Sequence, residues 1–115
     1  MTKYQVLLFL VLAIFVGTSG LSEAQRHMGM VLPLGSKQIE ANRFLSPRPY
    51  VDTLREMRQR FLGLKNISQI QDEINLPHVR ATSFANTDKD SPFMAINIYT
   101  NLQTGLTEIF FVGRK

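Results

Sequence analysis

The chain has 115 residues, a formal charge of +4 from 13 basic and 9 acidic residues, and no cysteine. That length holds one domain, and a charge this mild and scattered excludes a nucleic-acid-binding stripe. Absence of cysteine excludes disulfide scaffolds and thiolate-zinc sites, so any fold must be held by burial alone.

Lys3 precedes an unbroken apolar run of 11 residues, Val6 to Val16. A helix crossing a bilayer needs roughly 20 such residues, so no integral membrane span is expected. A basic residue before the run and small residues after it match a secretory signal peptide, assigned to residues 1–24. Two small-x-small cleavage sites fit: after Ala24, with Ser22 at −3, or after Gly20, with Thr18 there. Ala24 is preferred because it leaves Gln25, which can cyclise, as the new terminus. The expected location is extracellular, and removal of Lys3 and Glu23 leaves the charge unchanged.

Residues 25–48 read as an extended, partly ordered arm, because Pro33, Pro47 and the following Pro49 break any sustained period. From Pro49 a small domain is expected to run to residue 115. Tyr50, Leu54, Met57, Phe61 and Leu64 fall on one helical stripe, with acidic Asp52 and Glu56 early and basic Arg58 and Lys65 late, which predicts a helix over 50–64. Ile67, Ile70 and Ile74 recur at steps of three and four before Pro77, which predicts a second, shorter helix over 67–75.

Beyond Pro77 the period changes to two. Residues 78–84 read as an edge strand, 86–92 as a polar turn, and 93–99 and 106–112 as the arms of a β-hairpin closed by Asn101–Gly105. On that hairpin Met94, Ile96 and Ile98 are expected on one face, with Phe93, Ala95, Asn97 and Tyr99 on the other. The fold class is therefore α+β: two short helices followed by a small antiparallel sheet ending in a β-hairpin, behind an extended N-terminal arm. Leu54, Phe61, Ile70, Ile96, Ile98 and Ile109 are the expected core.

Few residues carry recognisable chemistry. His27 and His78 stand far apart with no ligand pattern around them, so no metal site is expected. No nucleophile elbow, phosphate loop or cofactor-binding motif is visible, and the acidic pairs Asp72-Glu73 and Asp88-x-Asp90 suit a helix surface and a loop. No catalytic residue is assigned, and an enzyme is not expected. Asn66-Ile67-Ser68 is an N-glycosylation sequon. Arg55-Glu56-Met57-Arg58 fits a minimal convertase pattern inside the predicted helix, where folded backbone resists cleavage.

Gly113-Arg114-Lys115 admits two readings: a hormone precursor trimmed to an amidated Val112, with Gly113 donating the amide, or the frayed end of a closing strand. Arg114-Lys115 is the only adjacent basic pair, so no internal site would release a short peptide, and the strand reading is preferred. The helix stripe of Tyr50, Leu54, Met57, Phe61 and Leu64, flanked by Arg58 and Lys65, is a candidate amphipathic binding face. A core-facing helix makes the same pattern more commonly.

This layout, a leader followed by a short, basic, cysteine-free product without Gly-rich or Pro-rich repeats, resembles the edin-like ("elevated during infection") short secreted immune peptides of insects. The resemblance covers length and organisation, and carries over no functional residue. It implies a humoral factor of innate immunity, acting as effector or signal by binding a host receptor or a microbial or anionic membrane surface. The chain departs from the Gly-rich attacin and diptericin type, having seven scattered glycines. A hormone precursor and a reproductive or salivary secretion are the alternatives.

Overall fold

The computed structural model describes residues 25–114. Residues 1–24, the expected signal peptide with Ala24, lie outside them, as does Lys115. The described chain runs β1 (Arg26–His27), β2 (Met30–Val31), β3 (Lys37–Glu40), β4 (Arg43–Ser46), α1 (Tyr50–Phe61), β5 (Ile67–Gln69), β6 (Ile74–Asn75), β7 (Val79–Asn86), β8 (Phe93–Asn101) and β9 (Thr107–Gly113). β1 and β2 form a two-stranded sheet; the other seven strands form one antiparallel sheet in the order β3-β4-β9-β8-β7-β5, with β6 also on β7. This corrects the expected fold class: the described residues are mostly β, with a single helix among them.

Three local causes account for the difference. The stretch expected as an extended arm is two hairpins, because its breakers sit in turns. Met28 and Gly29 both have positive φ (51° and 84°), the two-residue geometry that matches strand twist. Gly35 (φ 91°) follows, where Ser36 N–H donates to the Pro33 carbonyl at 3.0 Å, and a Cβ there would come within 3.2 Å of Pro47.

The expected helix over 67–75 is instead an edge of two short strands. Gln69 pairs with Phe84 and Ile74 with Ala81, so four residues, 70–73, face only two, 82 and 83. The three-and-four isoleucine spacing therefore marks no common face: Ile67 packs against the core, whereas Ile70 and Ile74 are exposed. Ile70 is 55% exposed and is not part of the core.

In β8 the partners step from Phe93–Gly113 to Ala95–Val112, skipping Met94. The skip rotates Phe93 onto the face of Ile96 and Ile98 and leaves Met94 exposed, opposite to the simple alternation expected for this strand.

The core lies on one sheet face: Phe44 on β4, Ile109 and Phe111 on β9, Phe93, Ile96 and Ile98 on β8, and Phe84 on β7. α1 covers this face with Tyr50, Leu54, Met57 and Phe61, and Phe61 stacks tilted on Phe84 at 4.8 Å between ring centroids. The N-terminal hairpin covers the rest with Met30, followed by Leu32, and His27 packs against Phe44 and Phe111 at 4.8 and 5.0 Å.

The helix start is fixed by side chains away from its own cap. Pro49 supplies no capping hydrogen bond. Ser46 Oγ, at the end of β4, shares a 2.6 Å hydrogen bond with Thr53 Oγ1 in the first turn, and accepts from Arg48 N–H at 3.1 Å. α1 ends at Phe61, so Leu64 falls beyond the helix and is 44% exposed.

The chain end is held in place. Gly113 belongs to β9, and the Arg114 guanidinium donates to the carbonyls of Ser91, Asn86 and Asp88 at 3.0, 2.6 and 2.9 Å. Arg114 thereby closes the loop joining β7 to β8, where a frayed end is expected from the sequence.

Two measurements check this packing. Ile98→Ala removes a fully buried side chain and costs about 3 kcal/mol in urea unfolding, whereas Ile70→Ala costs under about 0.5 kcal/mol. Arg114→Ala removes the guanidinium from three carbonyls, of which Asp88 keeps Ser91 N–H as a donor, and costs about 2 kcal/mol in the same assay.

Candidate functional groove

Most of the stripe read as a binding face points inward. Tyr50, Leu54, Met57 and Phe61 are at most 6% exposed, so nearly all of their surface holds α1 to the sheet, and only edges of Tyr50, Leu54 and Phe61 reach outward. Arg58 and Lys65 remain exposed.

Turning that stripe inward leaves a groove beside it, between α1 and the β5–β6 edge. Its main section, about 550 Å³, is lined by Tyr50, Val51, Leu54, Arg58, Leu62 and Arg80 among others. A second section of about 270 Å³ shares Arg58 and Leu62 and reaches Phe61, Ile67, Gln69 and Phe84. The main volume lies in the range of small-molecule sites. Leu62 at its rim is 86% exposed and Val51 50% exposed, so large apolar side chains border it without cover among the described residues.

The cations of the groove are unequally matched. Arg80 pairs with Glu73 at 3.1 Å and lies over the Tyr50 ring at 4.9 Å, while its Nε is buried with no hydrogen-bond partner. Arg55 pairs with Asp52 at 3.0 Å. Arg58 has no carboxylate partner among the described residues; it donates to Gln69 Oε1 at 2.8 Å and lies over Phe84 at 5.9 Å. Tyr50 hydroxyl shares a 2.6 Å hydrogen bond with Thr82 Oγ1, and burial pushes its pKa up, with Glu73 adding to the rise. The groove thus joins an apolar floor to a cation with spare donors.

A larger basin, about 680 Å³, lies on the outer face of α1 around Arg48, Arg55, Glu56 and Arg60. It is a weaker candidate, because Arg48 and Arg60 both pair with Glu56, at 3.3 and 2.9 Å, and Arg55 with Asp52. Each of its three arginines already faces a carboxylate, Arg48 and Arg60 sharing one.

The remaining sequence candidates are dispersed. Asn66 is exposed just before β5, and its carbonyl accepts from Thr87 N–H at 2.9 Å; Ser68 is also exposed, so the sequon is accessible. Gln25 accepts from Leu32 N–H at 2.8 Å through its carbonyl. His27 Nε2 and Asn42 Oδ1 are 3.0 Å apart, while His78 is exposed; no group of three or more metal-ligating side chains gathers among the described residues. Glu73 of the pair Asp72-Glu73 serves Arg80, and Asp88 accepts from Asp90 N–H at 3.0 Å. Arg55 and Arg58 stand within α1, so the convertase pattern lies in helical backbone. Val112 and Gly113, the candidate amidation pair, are both in β9.

Sequence reading misses Leu62, Gln69, Glu73 and Arg80 as groove residues. The signal absent from the sequence is long-range pairing: only the bulged register of β5 and β6 against β7 brings Gln69 to Arg58 and Glu73 to Arg80.

On the uncovered sheet face, Tyr99 hydroxyl donates to Glu108 Oε1 at 2.7 Å, and Glu108 also faces Arg43 at 3.4 Å. Burial, reinforced by the Glu108 carboxylate, pushes the Tyr99 pKa from 10.0 up to about 12. A raised acid pKa favours the protonated folded state, so its contribution is present below pH 10 and lost as pH rises toward about 12. The urea midpoint is expected to fall across that window, and the fall is shallower in Tyr99→Phe. Tyr50→Phe removes the buried bond to Thr82 and costs about 1–2 kcal/mol at neutral pH in the same titration.

No family model, no curated protein and no solved structure matches the chain.

Proposed function

We propose that this chain is a secreted, infection-responsive host-defence protein that acts by binding, as a humoral effector or signal, and not by catalysis. The supporting sequence features are the leader pattern of residues 1–24, the cysteine-free basic product and the edin-like layout. The supporting structural observation is the open, apolar, net-cationic groove beside α1, whose Arg58 is without a carboxylate partner among the described residues. Such a groove suits capture of a ligand: it offers burial and charge but no paired nucleophile and base.

Among the described residues no helix is long and apolar enough to cross a membrane. Direct membrane lysis by α1 is also disfavoured, because its apolar stripe is already used against the sheet. The amidated-hormone reading conflicts with the geometry at the end of β9. Trimming to Val112 would delete Gly113, which pairs with Phe93, and Arg114, which holds the loop joining β7 to β8.

The reading predicts that transcript and body-fluid protein both rise after bacterial challenge. Intact mass should start at Gln25, keep Gly113 and Arg114, and carry a glycan at Asn66 if the sequon is used. An unchanged level after challenge, or a product confined to the cell interior, overturns it. A second outcome separates groove binding from lysis: the intact protein should release no dye from anionic vesicles, whereas a synthetic 49–65 peptide, with its stripe freed, is the segment able to do so.

A further inference from the structure

We infer that the groove between α1 and the β5–β6 edge takes a single-chain anionic amphiphile, an aliphatic tail ending in one carboxylate or similar acid group. The inference rests on the binding role proposed above and names its ligand. Three features of the groove select this chemistry together.

The first is the position of charge. Arg58 stands where the two sections of the groove meet, exposed, with a neutral amide as its hydrogen-bond partner. A guanidinium has five donors in a planar fork that suits a carboxylate in two-point contact, and Gln69 engages only one of its nitrogens. An anionic head group completes what Gln69 begins. A cationic one would meet Arg58 with no carboxylate beside it among the described residues, and a Glu73 already engaged by Arg80.

The second is the apolar surface on either side. Leu54 and Val51 lie on one side of Arg58 along the helix, and Phe61, Ile67 and Phe84 on the other, with Leu62 shared by both sections. Leu62 and Val51 expose large apolar area at the rim, which a tail laid along the groove would remove from water at roughly 25 cal/mol per Å². A small inorganic anion would leave that surface wet, so charge alone does not use the site.

The third is shape. The groove is a concavity between a helix and a bulged strand edge, and its apolar side chains line a recess. A bilayer surface would meet only the projecting rim, Leu62 and Val51, whereas a detached chain can also reach Leu54, Phe61 and Phe84 on the floor. The source is therefore a free amphiphile and not an intact membrane.

The experiment uses protein expressed from the full chain and a dansyl-labelled undecanoic acid as the fluorescent probe. The expected result is saturable enhancement, reversed by dodecanoate. Butyrate, which has the charge without the tail, and dodecyltrimethylammonium, which has the tail with the opposite charge, should not displace the probe. Arg58→Glu should weaken probe binding about tenfold or more, Arg58→Lys should retain part of it, and raised salt should weaken the wild type.

Leu62→Asp, at a position 86% exposed and so tolerant of change, should weaken binding while leaving circular dichroism and the urea midpoint unaltered. No enhancement, equal displacement by the cationic amphiphile, or full affinity in Arg58→Glu overturns the inference. Flotation with phosphatidylglycerol vesicles in the absence of probe binding also overturns it, in favour of a membrane surface. These outcomes leave the response to infection untouched, so failure of the ligand assignment and failure of the host-defence reading are told apart.

Discussion

Everything in this fold depends on covering one face of one sheet. Ile98 pairs with Ile109 and Ile96 with Phe111 at its centre, and all four are inaccessible to solvent. With no disulfide available, this contact carries the stability that small extracellular domains more commonly share with cross-links. A seven-stranded sheet is wide for a single helix of 12 residues. The helix therefore covers the β7 and β8 side, and the N-terminal hairpin, through His27, Met30 and Leu32, covers the end marked by Phe44 and Phe111.

Polar contacts then decide how the cover sits. Ser46 and Thr53 lock the first turn of α1 to the end of β4, and Tyr50 reaches Thr82 on β7, so the helix is pinned at two strands far apart in the sheet order. Each bond joins buried groups, and losing one partner leaves the other unpaired in a dry environment, which costs more than the bond itself contributes. Hydrophobic burial attaches the helix. These hydroxyls choose its angle and depth. Arg114 performs the corresponding task for the loop joining β7 to β8, donating to the carbonyls of Asn86, Asp88 and Ser91, of which Asp88 also accepts from Ser91 N–H within the loop.

What was legible in the sequence was local. The stripe of Tyr50, Leu54, Met57 and Phe61 marks a helix because its period of 3.6 arises within one element, and the alternating tracts 93–99 and 106–112 lie in β8 and β9 for the same reason. What was hidden was non-local. Pro33, Pro47 and Pro49 read as breakers of an arm, since nothing nearby reveals that β4 completes its pairing with β9, more than sixty residues later. The isoleucines at 67, 70 and 74 mimic a helix by spacing alone: they lie along a bulged edge, where only Ile67 packs against the core. Met94 misleads in the opposite sense, one skipped residue moving Phe93 into the core.

The groove was illegible for the same physical reason that the edge was. A regular strand over 67–75 would continue the pairing with β7 without interruption. After Ile70 N–H donates to the Ser83 carbonyl at 3.0 Å, the excess residues release 71–73 from regular pairing, and Glu73 meets Arg80 beside Tyr50 while Gln69 meets Arg58. The irregularity that defeats the periodic reading is therefore what supplies one wall of the recess, with α1 as the other. Arg58 and Arg80 are held there differently: both lie over an aromatic ring, but Arg80 is committed to a carboxylate, whereas Arg58 is hydrogen-bonded to a neutral amide. A neutral partner orients a guanidinium without cancelling its charge, which keeps Arg58 available to an anion in a way that the paired arginines on the outer face of α1 are not.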